Sequence, residues 1–338
     1  MKTREELAVP RAEFRSYYGR PVLKPPVWEW KIPAYLFTGG LAAGSALLAA
    51  GADLTGRPAL RRAGRLGSLG GLAVSMVLLV ADLGRPERFH HMLRVAKPTS
   101  PMSIGTWILV AFSPGSALAA AGELLPGRWF PRTRWTGRLL TLAARPAGLS
   151  AAAVAPGVAA YTAALLSQTA VPAWNEARYE LPFVFTGSAA ASGAGLGLLA
   201  APVAEAGPAR RLAAVGAAGE LAASALIDRK PALPARAYTT GRAHRMRRWS
   251  EGLTAGGAIL AVTAARRSRP AAAVAGLALL GGSALQRFGV FEAGVASTRD
   301  PKYVVVPQRE RLAARPLAGG TNGTGHPDPE SPGLASPA

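Results

Sequence analysis

The residues of this chain that could carry chemistry stand at or near the ends of long apolar runs. Tyr35, Trp107 and Tyr161 lie one or two helical turns inside such runs, while Glu29, Trp30, Asp82 and Arg85 stand at their boundaries. Phenol and indole groups donate hydrogen bonds, and a carboxylate can exchange a proton. Gathered at one depth, they would form a pocket for a polar headgroup carrying an apolar tail. The same types serve another purpose equally well. Trp28, Trp30, Tyr35 and Trp107 suit an aromatic belt at a membrane interface, and Asp82 with Arg85 and Arg88 suits a helix-end charge cluster. Glu220 differs, because it falls near the middle of an apolar segment, where a carboxylate is costly unless paired, protonated or wetted. It reads either as a proton relay or as a neutral carboxyl hydrogen-bonded inside a bundle.

Composition removes several chemistries. With no cysteine, the chain forms no disulfide, thiolate zinc site or cysteine-ligated iron–sulfur cluster. His90 and His91 follow an apolar run, His244 falls in a loop and His326 in the tail, so bis-histidine haem inside a bundle is not expected. Electron chemistry would then need a diffusible carrier or a partner's cofactors. The net charge of +20 does not point to nucleic acid, because the basic residues occupy short segments between apolar runs rather than one polar face.

The elements that must position these groups are membrane-spanning helices. Hydrophobic residues make up 49% of the chain and charged residues 17%, the latter clustered between uncharged stretches long enough to cross a bilayer. The expected spans are Ile32–Ala52, Leu66–Ala81, Pro98–Gly122, Pro146–Asn175, Leu181–Ala204, Leu212–Ile227, Trp249–Ala265 and Pro270–Phe291. The predicted fold is therefore an all-α integral membrane protein of about eight transmembrane helices packed as a tight bundle. Residues 1–27 read as an extramembrane segment and 293–338 as a polar, partly disordered tail, with the spans between them in residues 28–292. No apolar core like that of a signal peptide precedes Pro21, so insertion is expected to rely on the spans themselves. An even number of spans puts both termini on one face. That face carries the larger share of the 39 lysines and arginines, which favours cytoplasmic termini in a cell membrane. Helix direction then brings Trp30, Tyr35, Asp82, Trp107 and Tyr161 to that same face.

Four words along the chain resemble the NrfD and polysulfide-reductase membrane-subunit family. They are Trp28-Glu29-Trp30 with Tyr35 to Gly40; Asp82-Leu83-Gly84-Arg85-Pro86 with Arg88 and Phe89; Ser100 to Trp107; and Tyr161-Thr162 with Pro172, Trp174 and Asn175. The resemblance implies two stacked four-helix bundles, residues 28–168 as the first, holding the quinone site, and 169–292 as the second, without haem or an iron–sulfur cluster of their own. It implies a quinone or quinol (menaquinone or ubiquinone) bound near the face where an iron–sulfur, ferredoxin-like subunit docks, itself joined to a molybdopterin-type catalytic subunit. Carried over by position, Tyr161 matches a tyrosine that hydrogen-bonds one quinone carbonyl, and Tyr35 a first-helix polar position that addresses the other. The chain departs from the pattern where the family can place histidine at Tyr35, and where Ala163 replaces a common glycine. Trp30, Trp107 and Arg85 complete the expected binding set, with Asp82, Glu29 and Glu220 as candidate proton carriers. The expected role is a membrane anchor passing electrons between the quinone pool and an iron–sulfur partner within surrounding lipid. The rival is a proton or cation transporter working through Glu220 and Glu251.

Overall fold

The computed structural model describes residues 21–125 and 135–314, and among these every regular element is helical. Among the described residues, six helices are long and apolar enough to cross a membrane: α1 Lys31–Leu54, α2 Pro58–Ala81, α3 Pro101–Leu124, α4 Trp135–Ser167, α6 Leu181–Ala200 and α9 Arg269–Arg299. A short α5, Pro172–Glu176, precedes α6. Two further helices, α7 Gly207–Asp228 and α8 Gly241–Val262, have 22 residues each. They are long enough to span but fall outside the apolar set, carrying arginines at their starts and Glu220 and Glu251 within. A last helix, α10 Lys302–Ala313, follows α9. The chain is thus an all-α, multi-pass membrane protein.

Several boundaries differ from those expected, and each difference has a cause in side-chain pairing. Helix α2 begins at Pro58 rather than Leu66 because Arg61 and Arg65 are satisfied within the bundle by Glu123 and Asp53. Helix α4 starts at Trp135 and carries both Pro146 and Pro156 inside it. It ends at Ser167, so Pro172 opens a separate helix instead of closing this one. Helix α8 starts at Gly241, eight residues before the apolar run, so His244 lies in its first turn and not in a loop. The polar stretch after Glu292 continues α9 to Arg299, with Gly294, Val295, Ser297 and Thr298 buried, and then forms α10, which buries Tyr303. Residues 1–20 and 315–338, including His326, lie outside the described residues.

Helix α1 is the pivot of the packing, touching α2, α4, α6 and α9, while α3 pairs with α4, α7 with α6, and α8 with α9. Small residues permit the closest approach. A Cβ at Gly193 would fall on the main chain of Gly44, so α1 and α6 meet backbone to backbone. Gly56, with φ of 65°, makes the tight turn from α1 to α2. Helix ends here leave unpaired backbone groups, and remote side chains supply the partners. The Glu205 carboxylate accepts from the amides of Ala59 and Leu60 at 2.7 and 3.2 Å, capping α2. Arg269 donates to the carbonyls of Leu198, Leu199 and Ala201 at the end of α6.

Candidate functional site

Tyr35 lies one turn into α1 and Tyr161 about two turns before the end of α4. Antiparallel packing of these helices brings the two residues to one depth, 3% and 9% exposed. Their hydroxyls hydrogen-bond to each other. The Tyr161 ring lies against Gly105 of α3, where any Cβ would run into it. Below Tyr35, Ser75 of α2 donates to its carbonyl at 3.4 Å. Each phenol can both donate and accept, so in this packed arrangement the two hydroxyls satisfy one another, and an outside oxygen would meet them by replacing one of the pair.

The other expected site residues divide into two groups. Glu29 and Asp82 share a mouth with Lys31, whose Nζ lies 3.5 Å from the Glu29 carboxylate. Burial lifts the Asp82 carboxyl above the ordinary aspartate range, Lys31 pulls it back and Glu29 pushes it up. The three form one charged rim at the start of α1 and the end of α2. Trp30, Trp107 and Arg85 do not join it. Trp30 is 62% exposed, Trp107 is 41% exposed with its indole N–H aimed at the Val95 carbonyl, and Arg85 is exposed before the 3-10 segment Pro86–Leu93. Buried between α5 and α9 is Trp174, which donates to the Val290 carbonyl at 2.8 Å and stacks on Trp28 at 5.9 Å.

Glu220 stands apart from the tyrosines, in the packing of α6 to α9, and is 1% exposed. The cation acting on it is Arg287 of α9, equally buried, which donates to the Phe185 carbonyl at 2.7 Å and lies over the Phe185 ring at 3.7 Å. Nearer the end of α7, Arg247 is held by both oxygens of Asp228, with Glu251 at 3.6 Å. Among the described residues, Glu220 Oε2, Arg287 Nε and Nη1, Gln286 Oε1 and Thr254 Oγ1 are buried without a hydrogen-bond partner. So many unmet polar atoms in one region call for internal water. Arg287 and Arg247 are functional candidates that sequence reasoning missed. Their signal was Glu220 itself, because an ionised carboxylate at that depth is favoured only with a cation on a neighbouring helix.

A second ion network, with Arg65, Asp53 and Glu123 largely buried and Arg145 exposed, lies toward the opposite end of α1 to α4. Arg61 meets Asp53 and Glu123 at 3.3 and 2.8 Å, Arg65 meets Glu123 at 3.0 Å, and Arg145 meets Asp53 at 3.2 Å. These contacts tie together the ends of four helices and give each carboxylate in the group a cation.

Residues 22–216 match the family profile described as polysulphide reductase, NrfD. The sequence is also similar to the C subunit of polysulfide reductase from Wolinella succinogenes, at 30% identity over 151 residues. That match covers 42% of this protein and 48% of the relative, so it spans about half the length of the protein it resembles.

Proposed function

This chain belongs to the NrfD polysulphide reductase family, and from that premise we propose that it is the quinone-binding membrane anchor of a multi-subunit oxidoreductase. In this reading it passes electrons between the quinone pool and an iron–sulfur, ferredoxin-like partner joined to a molybdopterin-type catalytic subunit. The observation that carries the reading is the buried hydroxyl pair of Tyr35 and Tyr161, set at one end of the helices and cradled by Gly105. Quinone, when bound, supplies two-electron, two-proton chemistry at its two carbonyl oxygens. The chain's own residues orient the headgroup and move protons. Each tyrosine gives up the other's hydroxyl to donate to a carbonyl oxygen, a pair of donors aimed where negative charge develops on reduction. Asp82 exchanges protons with the aqueous rim it shares with Lys31 and Glu29, and its raised affinity for a proton suits that role. Trp30, Trp107 and Arg85 serve the surroundings of the site, at the lipid and headgroup boundary.

The same reading takes α7 and α8 as spans, giving eight in two four-helix bundles, residues 28–168 and 169–292, with cytoplasmic termini. Polar residues within α7 and α8 then face inward, as Glu220, Arg247 and Ser250 do.

Tyr161→Phe in the assembled complex removes one donor and keeps the ring. Turnover and quinone affinity are expected to fall while assembly holds, and unchanged values of both would take Tyr161 out of the mechanism.

The chain of charges from Asp228 through Arg247 and Glu251 toward Glu220 and Arg287 favours a second reading, proton or cation transport through the second bundle. The two readings separate on purification with natural partners. Co-extracted quinone and iron support the first, whereas their absence with ion flux in liposomes supports the second.

A further inference from the structure

A groove of about 400 Å³ runs along the outer seam of α3 and α4. Lys97, Pro98 and Trp107 stand at its shallow end, and Ala111 and Val154 at its deep end, with Ile108 between. Resting on the quinone reading above, we propose that this groove holds the polyisoprenoid tail of the quinone whose headgroup meets Tyr35 and Tyr161.

Three placements argue for that occupant over a casual lipid chain. First, Val154 and Tyr161 are seven residues apart on α4, two turns along one face, so the groove and the phenol share a helix stripe. Second, Gly105, on which Tyr161 rests, is one turn from Ile108 on α3, and Gly157 leaves α4 bare opposite that isoleucine, where even an added Cβ would keep 3.5 Å. Ile104 and Ile108 of the groove flank Gly105 on α3, so the groove runs beside the seat of the Tyr161 ring. Third, the depths run in the right order. Tyr161 and Trp107 each lie about 9 Å from the outer end of their helix, while Ala111 and Val154 lie deeper by one to two turns. A molecule with its head at the tyrosines and its tail toward the bilayer centre would follow this line. The volume and the apolar lining with a few polar groups at one end suit a small amphiphile. Meanwhile the loop over the shallow end is stapled to α3, Ser103 Oγ accepting from Lys97 N at 2.9 Å and donating to Val95 O at 3.0 Å.

The test fills the deep end in the full complex with Val154→Trp, and independently with Ala111→Phe from the facing wall. Leu139→Trp, in a separate outward-facing groove near the opposite ends of α3 and α4, serves as the control. Two quantities are read: long-tailed quinone retained per protein after purification, and the affinity for a long-tailed quinone against a tailless headgroup analogue. Filling the groove is expected to lower retention and to weaken the long-tailed compound about tenfold, the cost of an overpacked fit, with the analogue and the control unmoved within about twofold. Equal losses for both compounds, or no loss for either, would overturn the assignment. Tyr161→Phe reports separately on the headgroup reading, because it should weaken tailed and tailless compounds alike. If that substitution moves neither, the quinone reading itself fails.

Discussion

Glu220 and Arg287 offer a sharp test of how the packing of α6 to α9 tolerates charge. Both are 1% exposed, Glu220 on α7 and Arg287 on α9, and neither has a direct ion-pair contact among the described residues. Removing one partner of a buried pair costs about 3–5 kcal/mol, because the remaining charge stays buried and uncompensated. The two single changes should nevertheless differ. In Arg287→Met the carboxyl left behind can take up a proton and become neutral, which limits the loss to roughly 1–3 kcal/mol, the cost of an imperfectly satisfied polar group. In Glu220→Gln the guanidinium cannot shed its charge, so the full penalty of about 3–5 kcal/mol applies. The partial compensation from Phe185, whose carbonyl accepts from Arg287 and whose ring faces it, places the expectation near the lower end. At roughly 2–4 °C per kcal/mol, Glu220→Gln should lower the thermal midpoint in detergent by about 6–12 °C. The double variant Glu220→Gln/Arg287→Met should fall no further than Arg287→Met alone, since the stranded charge is gone. Equal single effects that simply add in the double variant would refute the reasoning and show that the two groups do not sense each other.

Three further outcomes follow from the same geometry. Gly193→Ala puts a methyl group into the main chain of Gly44, so it should destabilise by at least about 1–3 kcal/mol in a thermal-shift assay, and an unchanged midpoint would mean that α1 and α6 can separate freely. Glu205→Ala strips the cap from α2, with an expected loss of about 1–2 kcal/mol and faster amide exchange at Ala59 and Leu60; protection there at the parent level would contradict the capping role. Asp82→Asn concerns pH. Because burial raises the Asp82 carboxyl, the folded protein holds that proton more tightly than the unfolded chain; its stabilising contribution is complete below the unfolded value and is lost as pH rises through the raised one. The asparagine variant should therefore lack this loss on the acid side while slowing proton-coupled turnover, and an unaltered pH profile of turnover would remove Asp82 as a proton carrier.

Much of this architecture is legible in the order of residues, and the reason is the bilayer. Runs such as Ile32–Ala52 and Leu181–Ala200 carry no charge over a length that water-soluble helices seldom need, so composition alone marks them. Helix direction then brings Tyr35 and Tyr161 to one face, because antiparallel spans of similar length leave few other arrangements. The limits of that reasoning are equally physical. It rests on counting charges as boundaries, whereas Arg61, Arg65 and Arg247 are helical residues whose charges are met from other helices. Glu123 lies 58 and 62 positions from Arg65 and Arg61, and Asp228 lies 19 from Arg247, beyond any local pattern. A boundary drawn at the last charge therefore starts α2 and α8 too late. Nor does spacing distinguish an indole facing lipid from one facing the core, since both sit at interface depth. Trp107 points outward and Trp174, at a similar end of the bundle, is wholly buried, because only Trp174 finds a carbonyl acceptor in the interior and a glycine, Gly294, that leaves room for its ring.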